Sequence, residues 1–283
     1  MLRRFPLGAV AVRTLAVPLL LAGSTAGIAT LAQPAAGAVA VGSPASTALM
    51  GSLRGVAVFA RGGWAVGDTG MKTLILRRHG AAWTRTRSPD PAGGGVLFGV
   101  AATSAARAWA VGAAGVTAGV AVTMIMRWNG TSWKTTPSPN PGTENILYGV
   151  AATSARSAWA VGRTSDSSAT AKSLILHWNG KSWKQVRSPR PGADSTLSGV
   201  AATSAHNAWA VGESGLTVAK SLIVHWNGRA WTQVPGPAPA AGGLLSGVAA
   251  VTPTSAWAVG SSGSRTLILR WNGASWKDAA NRR

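Results

Sequence analysis

One short motif returns five times along the chain, and its spacing restricts the fold more than any other feature. Gly149-Val150-Ala151-Ala152-Thr153-Ser154-Ala155 recurs at residues 99–105 and 199–205, and in degraded form at 55–60 and 247–252. The leading glycines stand 44, 50, 50 and 48 residues apart. Each copy is followed by Trp-Ala-Val-Gly, beginning at Trp64, Trp109, Trp159, Trp209 and Trp257. An aliphatic run then ends in Trp-Asn-Gly at Trp128, Trp178, Trp226 and Trp271, with Arg78-His79-Gly80 in its place in the first copy. One more tryptophan closes each unit, at Trp83, Trp133, Trp183, Trp231 and Trp276. These positions absorb all 14 tryptophans, so none remains as a private functional residue.

A period of 44–50 residues is the length of a propeller blade. Within each unit the short β-branched and aromatic runs, separated by Gly, Asn, Ser and Pro, read as four strands, A to D. Gly-Val-Ala-Ala-Thr is strand A, Ala-Trp-Ala-Val strand B, residues 174–178 strand C and 182–187 strand D of the third copy. The Asn-Gly between C and D is a strong hairpin signal. Strand A is built from small residues, as expected where blades converge on an axis, and the tryptophans sit further out, where wedge-shaped gaps need volume. With 36 Gly and only 12% charged residues, a helical bundle is disfavoured. The expectation is an all-β, five-bladed β-propeller of four-stranded antiparallel blades at about 53–90, 97–140, 147–190, 197–237 and 245–278. The first blade begins on strand A and the last ends on strand D. Closure therefore depends on side-chain packing between them, and an open array or a swapped oligomer is the alternative.

The repeat resembles the kelch or Asp-box type of propeller unit over about residues 53–278. In kelch blades an aromatic and a Gly pair close strand B, and a later aromatic precedes strand D. Trp159-Ala160-Val161-Gly162, then Trp178 and Trp183, stand in equivalent places. A single Gly replaces the pair, and no Ser-x-Asp-x-Gly-x-Thr-Trp box is present. The unit also resembles the tandem Trp-Ala-Val-Gly/Trp-Asn-Gly repeats of secreted actinobacterial proteins. That resemblance implies the fold and is silent on ligand.

The first 38 residues read as a signal peptide. Arg3, Arg4 and Arg13 precede an apolar run at 14–32, and Ala36-Gly37-Ala38 fits a cleavage site, with Ala38-Val39-Ala40 nearly as good. Pro18, Gly23, Ser24 and Gly27 weaken the run as a permanent membrane span, although a retained anchor stays open. Residues 39–52 are a linker. The chain has no Cys, which excludes disulfides, thiolate metal sites, thiol nucleophiles and lipidation. Its net charge of +20, about +17 without the leader, would draw it to anionic polymers in a salt-sensitive way. No nucleic-acid, metal or cofactor motif is present. A secreted, possibly wall-associated monomer is expected, with an extracellular glycan, an anionic wall polymer or a protein as partner.

Alternating strand direction puts the A–B and C–D turns on one face of the blades and the B–C and D–A loops on the other. The first set is short and uniform, the second variable, and variable loops on a rigid frame are where binding is usually placed. Acids gather there: Asp68, Asp166 and Glu213 in B–C loops, and Asp90, Glu144 and Asp194 in D–A loops. The expected ligand-binding residues are Asp68, Glu144, Asp166, Asp194 and Glu213, with the hairpin tryptophans Trp83, Trp133, Trp183, Trp231 and Trp276 stacking on sugar rings. A fivefold set of weak sites gives avidity on a polymer. The alternatives are a glycoside hydrolase using two loop carboxylates and a basic adhesin for anionic polymers. No catalytic residue is assigned. Tyr148 reads as packing beside strand A, and His79, His177 and His225 as framework substitutions, His79 replacing a Trp.

Overall fold

The computed structural model describes residues 50–59, 62–116, 119–166, 170–189 and 194–279. The leader, most of the linker and Arg61 lie outside the described residues. Blade 1 consists of β1 (Ser52–Phe59), β2 (Gly62–Asp68), β3 (Thr73–His79) and β4 (Ala82–Arg85). Blade 2 has β5 (Gly95–Ser104), β6 (Arg107–Ala114), β7 (Val122–Trp128) and β8 (Trp133–Thr135). Blade 3 has β9 (Glu144–Ala152), β10 (Ala158–Ser165), β11 (Ala171–Trp178) and β12 (Trp183–Val186). Blade 4 has β13 (Ser195–Ser204), β14 (Asn207–Ser214), β15 (Lys220–Trp226) and β16 (Trp231–Gln233). Blade 5 has β17 (Leu244–Thr252), β18 (Ser255–Ser262), β19 (Arg265–Trp271) and β20 (Trp276–Asp278). Each set forms one four-stranded antiparallel sheet in chain order, and the described residues contain no α-helix. The fold is a five-bladed β-propeller.

Two glycine positions explain the motif. Strand A carries a one-residue bulge in every blade, between Leu147 and Gly149 in blade 3, and the bulge drives a strand A carbonyl over the last Gly of Trp-Ala-Val-Gly. A Cβ on Gly162 would lie 1.9 Å from the Ile146 carbonyl oxygen, so no side chain fits. The glycine that opens strand A lets neighbouring blades approach. A Cβ on Gly149 would sit 3.3 Å from the Gly199 Cα of the next blade.

The blades are held by four hydrophobic clusters, one between each consecutive pair. At the heart of each, the strand B tryptophan of one blade packs on both outer tryptophans of the next. Trp64 meets Trp128 and Trp133 at 4.7 and 5.0 Å, and Trp209 meets Trp271 and Trp276 at 4.9 and 5.1 Å. One contact is tilted and the other edge-to-face, geometries that indole rings favour. In blades 2, 3 and 4 the strand C tryptophan is fixed from behind, its Nε1 donating to the carbonyl of its own A–B turn, as Trp178 does to Ala155 at 3.1 Å. Asn179 then shapes the C–D turn, its Oδ1 accepting from the backbone N–H of Lys181 and of Ser182.

A second repeated stack lies within each blade. The strand C residue opposite the strand B tryptophan is cationic or an imidazole: Arg77, Arg127, His177, His225 and Arg270. Arg77 lies over Trp64 at 5.3 Å, and His177 stacks on Trp159 at 4.2 Å. This shared role is not legible in the sequence, because the residue type changes while the position does not. The same register corrects one expectation: Arg78, opposite Trp83, holds the tryptophan position of the first blade, and His79 holds that of the turn asparagine.

Burial holds the His177 and His225 imidazoles below the usual histidine range. The unfolded chain therefore binds protons that the folded chain refuses. Stability from these sites is complete above about pH 6.5 and falls as pH drops below it. Replacing both by the Arg of blades 1, 2 and 5 (His177→Arg with His225→Arg) should flatten this acid-side decline. Urea unfolding midpoints at pH 7.5 and 5 measure it, and an unchanged decline would assign it elsewhere.

Candidate functional site

The variable loops are anchored by a repeated hydroxyl pair that the Ser-Pro motif encodes. Thr73 Oγ1 and Ser88 Oγ lie 2.8 Å apart, Thr123 and Ser138 2.7 Å, and Ser173 and Ser188 2.6 Å. In each case the first residue lies near the start of strand C and the second opens the D–A loop. The backbone N–H of Thr73 also donates to Asp90 Oδ1 and that of Thr123 to Asn140 Oδ1, at 3.1 and 2.6 Å. In blade 4 the partner serine is replaced by Gly236, and the buried Ser221 hydroxyl is left without a hydrogen bond. Ser173→Ala should therefore cost about 1 kcal/mol, whereas Ser221→Ala should be neutral or stabilising. Denaturant titration of the two variants measures the contrast, and equal losses would contradict it.

Beside this frame three crevices open at corresponding places. The one in blade 3, about 780 Å³, is lined by Thr164, Ser165, Asp166, Lys172, Gln185 and Arg187 around the Ser173–Ser188 pair. Blade 1 has a crevice of about 1020 Å³ with Arg85, Arg87, Ser88 and Asp90, which runs on to Trp133. Blade 4 has one of about 330 Å³ with Lys220, Ser221 and Gln233 beside a Pro-rich wall. The start of strand C, the end of strand D and the D–A loop build all three. Arg85, Gln185 and Gln233 occupy the same register position, so frame and variable side chain are cleanly separated.

The acids expected to bind ligand are mostly engaged with the protein. Asp68 is buried, accepts from Arg54 Nε at 2.9 Å and from the Gly70 N–H at 3.1 Å, and braces the entry to blade 1. Glu144 takes Arg163 Nη2 at 2.8 Å and the Ser165 hydroxyl at 3.0 Å. Asp166 pairs with Lys172 Nζ at 2.7 Å, an exposed pair on the crevice wall. Asp194 and Glu213 do come together, but in a recess of about 90 Å³, too small for a sugar ring.

The hairpin tryptophans lie elsewhere than sequence reasoning put them. Trp133, Trp183, Trp231 and Trp276 are buried in the inter-blade clusters, where each receives the strand B indole of the preceding blade. They cannot stack broadly on a ligand. Trp83 is partly exposed because no strand B indole of a preceding blade covers it. Sequence reasoning missed Gln185, Arg187, Ser173 and Ser188. The Ser-Pro that recurs at Ser88, Ser138 and Ser188 was the available signal, while cations on an outer strand such as D have an ordinary structural use in blocking edge-to-edge pairing.

The strand A bulges leave a third set of residues without a strand B partner: Arg54, Phe98, Tyr148, Ser198 and Ser246. Phe98 and Tyr148 meet edge-on at 5.2 Å, and Arg54 lies over Phe98 at 5.4 Å. Burial pushes the Tyr148 phenol above its ordinary range, with Arg163 opposing and Glu144 and Glu213 adding to the rise. A phenol so held stays protonated, which suits packing and opposes a role as nucleophile. Among the described residues no cluster of three His, Asp or Glu could hold a metal, and no helix is long and apolar enough to cross a membrane.

No protein-family profile and no curated protein matches the chain. Solved structures do. A point mutant of the Aleuria aurantia lectin, in complex with Fucalpha1-6GlcNAc, superposes with a TM-score of 0.52 at 12% identity, covering 80% of this chain and 76% of the lectin. A mercury derivative of the same fucose-specific lectin gives a TM-score of 0.52 over 80% and 77%. YCF48 from Cyanidioschyzon merolae matches with a TM-score of 0.46 at 15% identity, over 81% and 85%. These neighbours are β-propellers, and the likeness is one of fold.

Proposed function

We propose that the protein is a secreted, non-enzymatic carbohydrate-binding module that holds an extracellular or cell-wall glycan on its B–C/D–A loop face. The blade 3 crevice carries this reading. It presents hydroxyls, an amide, a guanidinium and an exposed ion pair on a frame already fixed by internal hydrogen bonds. Sugar hydroxyls are recognised by such convergent donors and acceptors, and the frame needs no reordering to receive them. The Aleuria lectin is a propeller that binds a fucoside; that likeness is compatible with the role, and the crevice supplies the argument.

Three crevices with different side chains favour a polymer whose successive units are held weakly and together. Catalysis is disfavoured by the pairing of Asp68, Glu144 and Asp166 with cations and by the small recess that holds Asp194 and Glu213. The test is a glycan and wall-polymer array probed at low and high salt. Retention on neutral glycans at high salt, reduced at least tenfold by Gln185→Ala with Arg187→Ala at unchanged stability, is the expected result. Binding confined to anionic polymers and lost in salt would replace the lectin reading with a basic adhesin, and turnover of the glycan would replace it with a hydrolase.

A further inference from the structure

The four inter-blade interfaces are copies of one another, and the two ends of the array are the unused halves of a fifth. Along the inner strands a Cβ placed on Gly55, Gly99, Gly149 or Gly199 would meet the next blade at about 3 Å. On Gly247 it would meet only Val259 of its own blade, at 3.6 Å. Blade 5 is thus not followed by blade 1. Its forward face repeats the residues that blade 4 buries, but leaves them open: Trp257 is 39% exposed against 1% for Trp209, and Val259 49% against 0% for Val211. The backward face of blade 1 is the complementary half. Val56 is 64% exposed where Val100 is 9%, and Leu53 is 51% exposed where Leu97 is fully buried. Leu53, Val56, Ala65, Leu76 and Trp83 line an apolar groove of about 480 Å³ there, at the place where blade 2 receives Trp64.

We propose that this groove receives the Trp257 face of a second copy of the chain, so that molecules associate head to tail. The occupant follows from continuity with an existing interface. Trp257 would meet Trp83 as Trp64 meets Trp133, with Val259 and Ile268 over Val56 and Leu76 as their counterparts lie at the internal junctions. The chain's own blade 5 does not reach the groove. Four close-packed junctions fix the angle between blades, and closing the gap would strain all of them. A head-to-tail contact is heterologous, so each addition leaves one groove and one Trp257 face free.

Sequence also makes this junction weaker than the internal ones. At the position of Trp128 blade 1 has Arg78, whose Nε donates to the Gly80 carbonyl at 2.8 Å. In the internal junction Arg127 lies 5.5 Å over Trp178, so in the new one Arg270 would approach Arg78, cation against cation. The faces are modest as well. Three strands of seven to nine residues and an outer one of three or four, about 4.8 Å apart, make roughly 400 Å² per side, the low end for association. Association is therefore concentration-dependent, and salt strengthens it by screening both this pair and the net charge of +20. A monomer, expected from sequence, is the dilute state.

The decisive experiment uses two full-length variants at exposed positions, which leave the buried core untouched. Val56→Asp blocks the groove and Val259→Asp blocks the Trp257 face. By sedimentation velocity the unmodified protein should grow beyond the monomer with concentration and with added NaCl. Each variant alone should stay monomeric, and a 1:1 mixture should give a defined dimer, because one variant keeps the groove and the other the face. Arg78→Trp should tighten self-association at least tenfold. A monomer at every concentration, or variants that fail to pair when mixed, would overturn the proposal. Dimers formed by either variant alone would overturn it too, by showing a symmetric contact through some other surface.

Discussion

Every blade-to-blade junction depends on one insertion, a strand B indole seated between two tryptophans of the following sheet. Few other groups could fill that wedge. Adjacent sheets approach closely at the glycines of strand A and diverge outward, so the gap grows along the blade and is filled by the largest side chain available. The insertion also orders the rest of the repeat. Strand C must present a tryptophan tied to the A–B turn, the turn asparagine must bring strand D back, and strand B must carry a glycine where the bulge carbonyl intrudes. The buried indole N–H of Trp64, Trp159 and Trp209 lacks a hydrogen-bond partner, a cost outweighed by the ring area removed from water.

Because the junctions are rigid, chemistry is free to vary at the rim. The hydroxyl pairs fix each D–A loop, and the residues projecting from that frame change from blade to blade: Arg85 and Asp90, then Gln185, Arg187 and Asp166, then Gln233 and Lys220. A single repeating scaffold thus holds several unlike crevices, which suits a heterogeneous polymer better than one small ligand.

The repeat and its strands were legible in the sequence because Trp-Ala-Val-Gly and Trp-Asn-Gly report local constraints, a bulge and a turn. Which tryptophans would be covered was not legible. Position along one strand does not tell which neighbouring sheet lies over it, so Trp183 and Trp231 looked exposed on a hairpin and are buried between blades. The pairing of Glu144 with Arg163 was hidden for the same reason, since the two lie 19 residues apart and meet across a register shifted by a bulge. Asp166, one of the acids expected to bind ligand, lines the wall of the blade 3 crevice in a pair with Lys172, while its neighbours Gln185 and Arg187 sit on an edge strand where charge has an ordinary structural use. Ring closure was left open by the sequence; the exposure of Val56 and Trp257 at the two ends resolves it as an open array.

If the array is held by successive junctions and not by a closed ring, its stability is graded from the middle outward. Native-state hydrogen exchange on the strand B amides at low protein concentration measures this most directly. The account predicts the greatest protection in β6, β10 and β14, each lying in a blade flanked on both sides, and lower protection in β2 and β18. Uniform protection across all five sheets would contradict it.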